Sequence, residues 1–268
     1  MKLKISFFIL IGFGVLSCQQ GGNPSFSSSE IFELSPPQLT IDSLLFTTSA
    51  KLEANFEVKN AKIHYTRDGS SVNESSAVYK NPITIQKSGT YSFKNFHPDF
   101  KSSDEISISL IKITNDISRT KITISPNPHS NYGGIGVRGL VDLKKGSTQF
   151  RNGNEWLGFQ SPVITINLDF EEQLEISKII LSTLKDHNSW IFSPESIVAS
   201  NQTRRIGSLN LAPPKAPQET KLSFIEIPIK KDSYSNLEIQ IHLLDKIPNW
   251  HQGKGTLPFF FIDEIIVE

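Results

Sequence analysis

"NPITIQKSGTYSFKNF", residues 81–96, decides the fold class because its apolar side chains fall on every second position on both sides of a turn. Ile83 and Ile85 share one face, Ser88-Gly89 carries turn chemistry, and Tyr91 and Phe93 resume the alternation. A period of two sends successive side chains to opposite faces of a strand, so one face can be buried and the other left wet. The same reading extends outward. In "KIHYTRDGS", residues 62–70, Ile63 and Tyr65 alternate with polar neighbours before an Asp68-Gly69 turn, and "EISISLIKI", residues 105–113, alternates again. The runs are short, spaced as in a small β-sandwich, and from Leu39 onward no stretch sustains a helical period.

A proline-rich break at "SPNPHSNYGG", residues 125–134, separates these runs from longer ones. "VITINLDF", residues 163–170, puts Ile164, Ile166, Leu168 and Phe170 on one face. "KLSFIEIPI", residues 221–229, and "NLEIQIHLL", residues 236–244, do the same, while "FFFIDEIIVE", residues 259–268, is too apolar for an edge strand. The expectation is an all-β chain: a small sandwich over residues 39–119 and a larger antiparallel one over 120–268, divided near Thr120.

The amino-terminal end is of another kind. Lys2 and Lys4 precede an unbroken apolar run, "ISFFILIGFGVL", residues 5–16, followed by Ser17 and by Cys18, the one cysteine in the chain. A charged start, a short apolar core and a small residue before the cut have the layout of a secretory signal over residues 1–17. The run falls short of the roughly 20 apolar residues of a spanning helix. With "VLSC" ending in cysteine, it resembles a bacterial lipoprotein signal, in which the cysteine is acylated and becomes the first mature residue. That resemblance implies a lipid anchor on Cys18, and each buried methylene of an acyl chain contributes about 0.8 kcal/mol. Residues 18–38, rich in Gly, Ser, Pro and Gln, then read as a flexible tether with a reach of about 25 Å. The expected location is the cell envelope of a bacterium, at the outer membrane.

A mature chain whose single thiol carries lipid has no disulfide, so its core must hold the fold. Lysine plus arginine and aspartate plus glutamate number 27 each, leaving no basic footprint for nucleic acid.

Residues 63–96 resemble the fibronectin type III-like chitobiase/β-hexosaminidase C-terminal domain. Tyr65, Thr66, Asp68, Gly69, Ser76, Tyr79, Pro82, Ile83, Ile85, Ser88, Gly89 and Thr90 occupy that family's pattern, and Val72-Asn73 replaces its usual proline. Residues 132–160, 176–197 and 247–268 resemble the galactose-binding-like jelly roll of the discoidin or coagulation-factor type C group, in the form that ends bacterial β-N-acetylhexosaminidases. Asp142-Leu143 stands where that group usually has Asp-Gly. The catalytic α/β barrel of such enzymes finds no room here, so the resemblance implies the accessory half of a glycosidase on its own anchor.

Sugars are recognised by a flat apolar face and a few polar groups on loops. "DHNSW", residues 186–190, and "PNWHQGKG", residues 248–255, have that composition. Asn188 and His251 are the candidates for hydroxyl contacts, Trp190 or Trp250 for stacking, and Arg151 with Asn152 for a third loop. In the competing reading both tryptophans close the sandwich and His187 and His251 bond loop carbonyls. The jelly-roll resemblance further implies a structural Ca2+ held by Asp142, Glu264 and carbonyls of residues 144–148; otherwise Asp142 caps a turn and Glu264 pairs with a lysine. Glu171-Glu172 reads as a hairpin turn and Asp263-Glu264 as alternating across a strand, so neither pair makes a catalytic site. The sequence therefore points to a lipid-anchored, non-catalytic protein that binds carbohydrate and holds substrate or a partner glycosidase near the membrane. The alternative is a protein-docking module of an envelope assembly.

Overall fold

The computed structural model describes residues 32–268. The signal, Cys18 and residues 18–31 of the expected tether lie outside the described residues.

Eight strands build the first domain: β1 (Gln38–Ile41), β2 (Leu45–Phe46), β3 (Ala50–Asn55), β4 (Lys62–Thr66), β5 (Ala77–Val78), β6 (Ile83–Ile85), β7 (Gly89–Phe96) and β8 (Ile106–Lys112). They form a three-stranded sheet, β1-β3-β6, and a five-stranded sheet, β2-β8-β7-β4-β5. Leu52, Ile85, Phe93 and Leu110 fill the space between them, and Tyr65 stacks on Phe93 at 5.6 Å. Gly69 takes a φ of 73° in the β4–β5 turn, and Asp68 accepts the Ser70 amide, as the Asp-Gly signal requires. The missing family proline has a reason: the Val72 amide donates to Glu105 Oε2 at 2.7 Å, a bond proline lacks.

The tether ends earlier than the composition of residues 18–38 suggests. Leu34 is buried and its amide donates to the Lys101 carbonyl, Glu33 pairs with Lys101, and the buried Asn95 amide donates to the Ser35 carbonyl at 2.9 Å. One apolar residue with cover and one buried side chain needing an acceptor are enough to dock this polar segment.

The second domain contains β9 (Lys121–Ser125), β10 (Leu157–Phe159), β11 (Val163–Lys185), β12 (Ser196–Asn201), β13 (Arg204–Asn210), β14 (Lys221–His242) and β15 (Phe260–Val267). Periodicity read β11 and β14 as two strands each. They are instead single long strands whose mutual register shifts between Asp169 and Leu174 and again between Ile176 and Lys178. The first half of β11 pairs with β9 and the end of β14; its second half pairs with β15 and the start of β14. Each strand thus runs through both layers of a jelly-roll sandwich, and the bend replaces the hairpin expected at Glu171-Glu172, both exposed there. Between the layers lie Ile164, Ile166, Leu168, Ile179, Leu181, Leu237, Ile239, Ile241, Phe260 and Ile262. β15 sits between β10 and β11 and every one of its residues is buried.

The two domains touch. Leu45, Ile111 and Ile113 of the first form one apolar cluster with Ile180 and Ile266 on the outer face of the second, joined by Leu143 and Phe224. Asn115 Nδ2 donates across the junction to the Val267 carbonyl at 3.1 Å.

Candidate functional site

The end of the second sandwich where β11 stops and β14 and β15 begin carries the loops that sequence composition marked. Two short 3-10 turns, Phe150–Asn152 and His187–Ser189, meet there. Arg151 lies over the Phe150 ring at 4.6 Å and donates from its guanidinium to Ser189 Oγ at 3.0 Å. Asn152, on the first turn, and Asn188, on the second, are both exposed. The structure therefore gathers Arg151, Asn152 and Asn188 on one polar face, with their donors and acceptors available to solvent.

The aromatic candidates are more mixed. Trp190 is half-buried, takes a φ of 64° that lets it end the 3-10 turn, and lies against Gly253, where an added Cβ would come within 2.8 Å of the indole. Trp250 is also half-buried, leans on His187 and Phe192, and donates from Nε1 to the Pro214 carbonyl at 2.9 Å. Both pack on the buried Phe192, Leu244 and Ile247, so most of their surface closes the sandwich end.

His251 must be withdrawn as a sugar contact. It is 8% exposed, its Nδ1 accepts the Gly253 amide at 2.9 Å, and its Nε2 therefore carries the proton and donates to the His187 carbonyl at 2.7 Å. One ring nitrogen thus holds the 248–255 loop in shape and the other locks it to the 187–190 turn. Sequence composition identified the loop but not that its histidine is consumed in holding it. It also passed over an aromatic cluster beside the Arg151 turn, in which Tyr132, Phe150, Phe259 and Phe261 pack edge to face or tilted at 4.8–6.1 Å. The signal was present in "FFFID" and in the tyrosine after the proline-rich break, but a run of phenylalanines reads first as core.

A second cluster lies on the outer face of the same domain. The register of β15 against β11 slips between Ser182 and Thr183, inserting one residue opposite that step. Such a bulge undoes the strict alternation on which Asp263 and Glu264 were expected to point apart. Both carboxyls are buried and reach the loop at residues 142–146. Asp263 Oδ2 accepts from the Gly146 amide and from Lys145 Nζ, the latter at 3.0 Å, and Lys145 lies 4.4 Å over the Trp156 ring. Glu264 does not pair with a lysine. It is 0% exposed, neither carboxylate oxygen has a hydrogen-bond partner, and the Ser182 hydroxyl and Asp263 Oδ1 are also unpartnered. Burial, then the neighbouring Asp142 and Asp263 charges, push the Glu264 carboxyl up to about 9, and the Leu143 and Lys144 amides oppose this without reaching hydrogen-bond geometry.

Asp142 caps its own turn, accepting the Lys144 amide at 3.0 Å. Leu143, in place of the usual glycine, still adopts a φ of 60°; its side chain packs into the interdomain cluster, which offsets the strain of a left-handed leucine. The loop thus keeps the geometry that glycine would give. Buried oxygens with no protons to accept suit an oxygen-seeking cation, so the residues fit the Ca2+ expected from Asp142 and Glu264. Among the described residues no group of three His, Cys, Asp or Glu side chains is placed to hold a metal, so backbone carbonyls would have to complete the shell.

Residues 43–107 match the family model of the chitobiase/beta-hexosaminidase C-terminal domain. No curated protein matches the chain. Similar solved structures include the lectin domain of lectinolysin complexed with Lewis b antigen, with 13% identity over 58% of this chain and 97% of that one, at a TM-score of 0.39. A CBM32 module from Clostridium perfringens, in complex with GalNAc-β-1,3-galactose, shows 14% identity over 57% and 96% of the two chains, at 0.38. The C-terminal domain of a chitobiase from Bacteroides fragilis shows 15% identity over 57% and 95%, at 0.37.

Proposed function

We propose that the protein is an exported, lipid-anchored accessory that binds glycans through the loop end of its second sandwich and performs no catalysis. One observation carries the binding reading: Arg151, held by Phe150 and Ser189, draws two turns together and sets Asn152 and Asn188 in the open beside a half-exposed tryptophan. Fixed amide and guanidinium groups next to an apolar face are the chemistry that sugar hydroxyls and ring C–H groups require. A glycan array with the full chain tests it. The wild type is expected to retain at least one glycan, and Arg151→Ala or Asn188→Ala to weaken retention by roughly 10-fold each, because one polar contact is lost. Both residues are exposed, so unfolding temperatures should hold. A blank array for the wild type would overturn the reading.

Location rests on Cys18. The charged, apolar and small segments before it support acylation there, with the envelope membrane as the surface that the anchor occupies. Among the described residues no helix is long and apolar enough to cross a membrane. Cys18→Ser is expected to move the protein from the membrane fraction to the soluble one; unchanged fractionation would refute the anchor. Held there, the glycan face would keep substrate beside a partner glycosidase. Ca2+ on Asp142, Glu264 and loop carbonyls would neutralise the buried charge and stiffen the loop at residues 142–146.

A further inference from the structure

Lys185 and Lys221 stand directly opposite each other in the β11–β14 register. Like charges in that position repel, and among the described residues neither lysine has a carboxylate within ion-pair distance. Burial, and then the Lys221 charge, hold the Lys185 ammonium below the usual lysine range. Such a pair is costly unless something negative comes to it.

Beside Lys185 is a cavity of about 350 Å³ lined by His187, Ser193, Asn210, Pro214 and Gln218. Lys185 Nζ donates to Gln218 Oε1 at 2.6 Å, while the Gln218 amide donates to His187 Nδ1 at 3.1 Å. His187 must then carry its proton on Nε2, and that nitrogen has no partner although the residue is only 2% exposed. A buried donor without an acceptor costs roughly 1–3 kcal/mol, which a ligand atom can recover. The Asp186 carboxylate, next to Lys185 in the chain, is buried and already accepts the Thr220 hydroxyl at 3.1 Å.

We propose that this cavity is a second binding site, taking the acid group of an anionic sugar, a uronate carboxylate or a sulfate ester, against Lys185 and His187, with Lys221, outside the cavity wall, adding its positive charge from the paired strand. It is separate from the Arg151 and Asn188 face, yet joined to the same loop end through the Trp250 bond to Pro214. A volume of about 350 Å³ is at the small end of ligand pockets and matches a single sugar unit. The saccharide part of the assignment rests on the glycan-binding reading; the anion part does not.

Calorimetric titration of the full chain with glucuronate, a sulfated glucose, inorganic sulfate and glucose tests it. Glucuronate or the sulfated sugar should bind and glucose should not, with affinity falling as salt rises. Lys185→Gln should weaken binding by roughly 10-fold, and Lys221→Gln by less, since Lys221 acts only through its charge. Their unfolding temperatures should not drop, since each relieves a repulsion. Comparing the two sugars distinguishes carboxylate from sulfate. Absence of anion binding, or wild-type affinity in Lys185→Gln, would overturn the site. Inorganic sulfate binding as tightly as the sugars would overturn the saccharide assignment. Arg151→Ala should leave anion binding intact; loss there would place the anion on the other face and end the proposal. A blank neutral-glycan array with glucuronate still bound would fault the first site and spare this one.

Discussion

Glu264→Gln is expected to stabilise the protein at alkaline pH, against the usual cost of changing a buried residue. In the fold this carboxyl is pushed from 4.5 up to about 9 by burial and by Asp142 and Asp263. A carboxyl with a raised folded value favours the folded state fully below about 4.5 and loses that contribution as pH climbs to about 9. Wild-type stability in chelator should therefore fall across that window, by up to ~1.4 kcal/mol per pH unit, and the glutamine variant should be flatter. At pH near 8 the variant should exceed the wild type, measured by urea unfolding, because the roughly 5 kcal/mol that ionisation has removed by then outweighs the roughly 1–3 kcal/mol cost of a buried amide without partners. Added Ca2+ should raise the wild type and release protons on binding, and should do little for Glu264→Gln. A wild-type profile without slope in chelator would refute the burial account. A sloping profile insensitive to Ca2+ would refute the metal alone.

That carboxyl also shows where the sequence stops being legible. Alternation at Ile83, Ile85, Tyr91 and Phe93 reports the first sandwich, because a half-buried strand must repeat every second residue. The same rule misplaces Asp263 and Glu264, because one inserted residue opposite Ser182 is invisible in a run that is buried throughout. It splits β11 as well, since the polar stretch around Glu171 and Glu172 looks like a turn but is a solvent-facing bend in a continuous strand. At the glycan face the residue types identify the loops. Whether a polar atom is free depends on the partner the fold brings it: His251 is spent on the His187 carbonyl, whereas Asn188 remains exposed. Arg151 and Ser189 are 38 residues apart, and only folding makes them neighbours.

Asp263→Asn should be among the most damaging single substitutions in the second sandwich. Its carboxylate and the Lys145 ammonium are both almost fully buried, with side chains 1% and 6% exposed, at 3.0 Å. Burial lowers Lys145 and raises Asp263, and each partner's charge works against that trend. Neutralising the aspartate leaves the buried ammonium over Trp156 without its ion-pair partner, at a cost of about 3–5 kcal/mol. Lys145→Met should cost a similar amount from the other side, leaving Asp263 with the Gly146 amide as its remaining donor. The double variant Lys145→Met, Asp263→Leu should recover much of the loss, because an apolar pair removes both desolvation costs together. Losses below ~1 kcal/mol in each single variant, the range of an exposed pair, would show that water reaches the site. Asp263→Asn carries a second signature in the Glu264 titration. With one of the two nearby negative charges gone, Glu264 should ionise at lower pH, and the fall in stability in chelator, which begins at the same pH, should end at lower pH than in the wild type. The bulge that turns both carboxyls the same way makes the two titrations dependent on each other, and on opposite faces of a regular strand they would be independent.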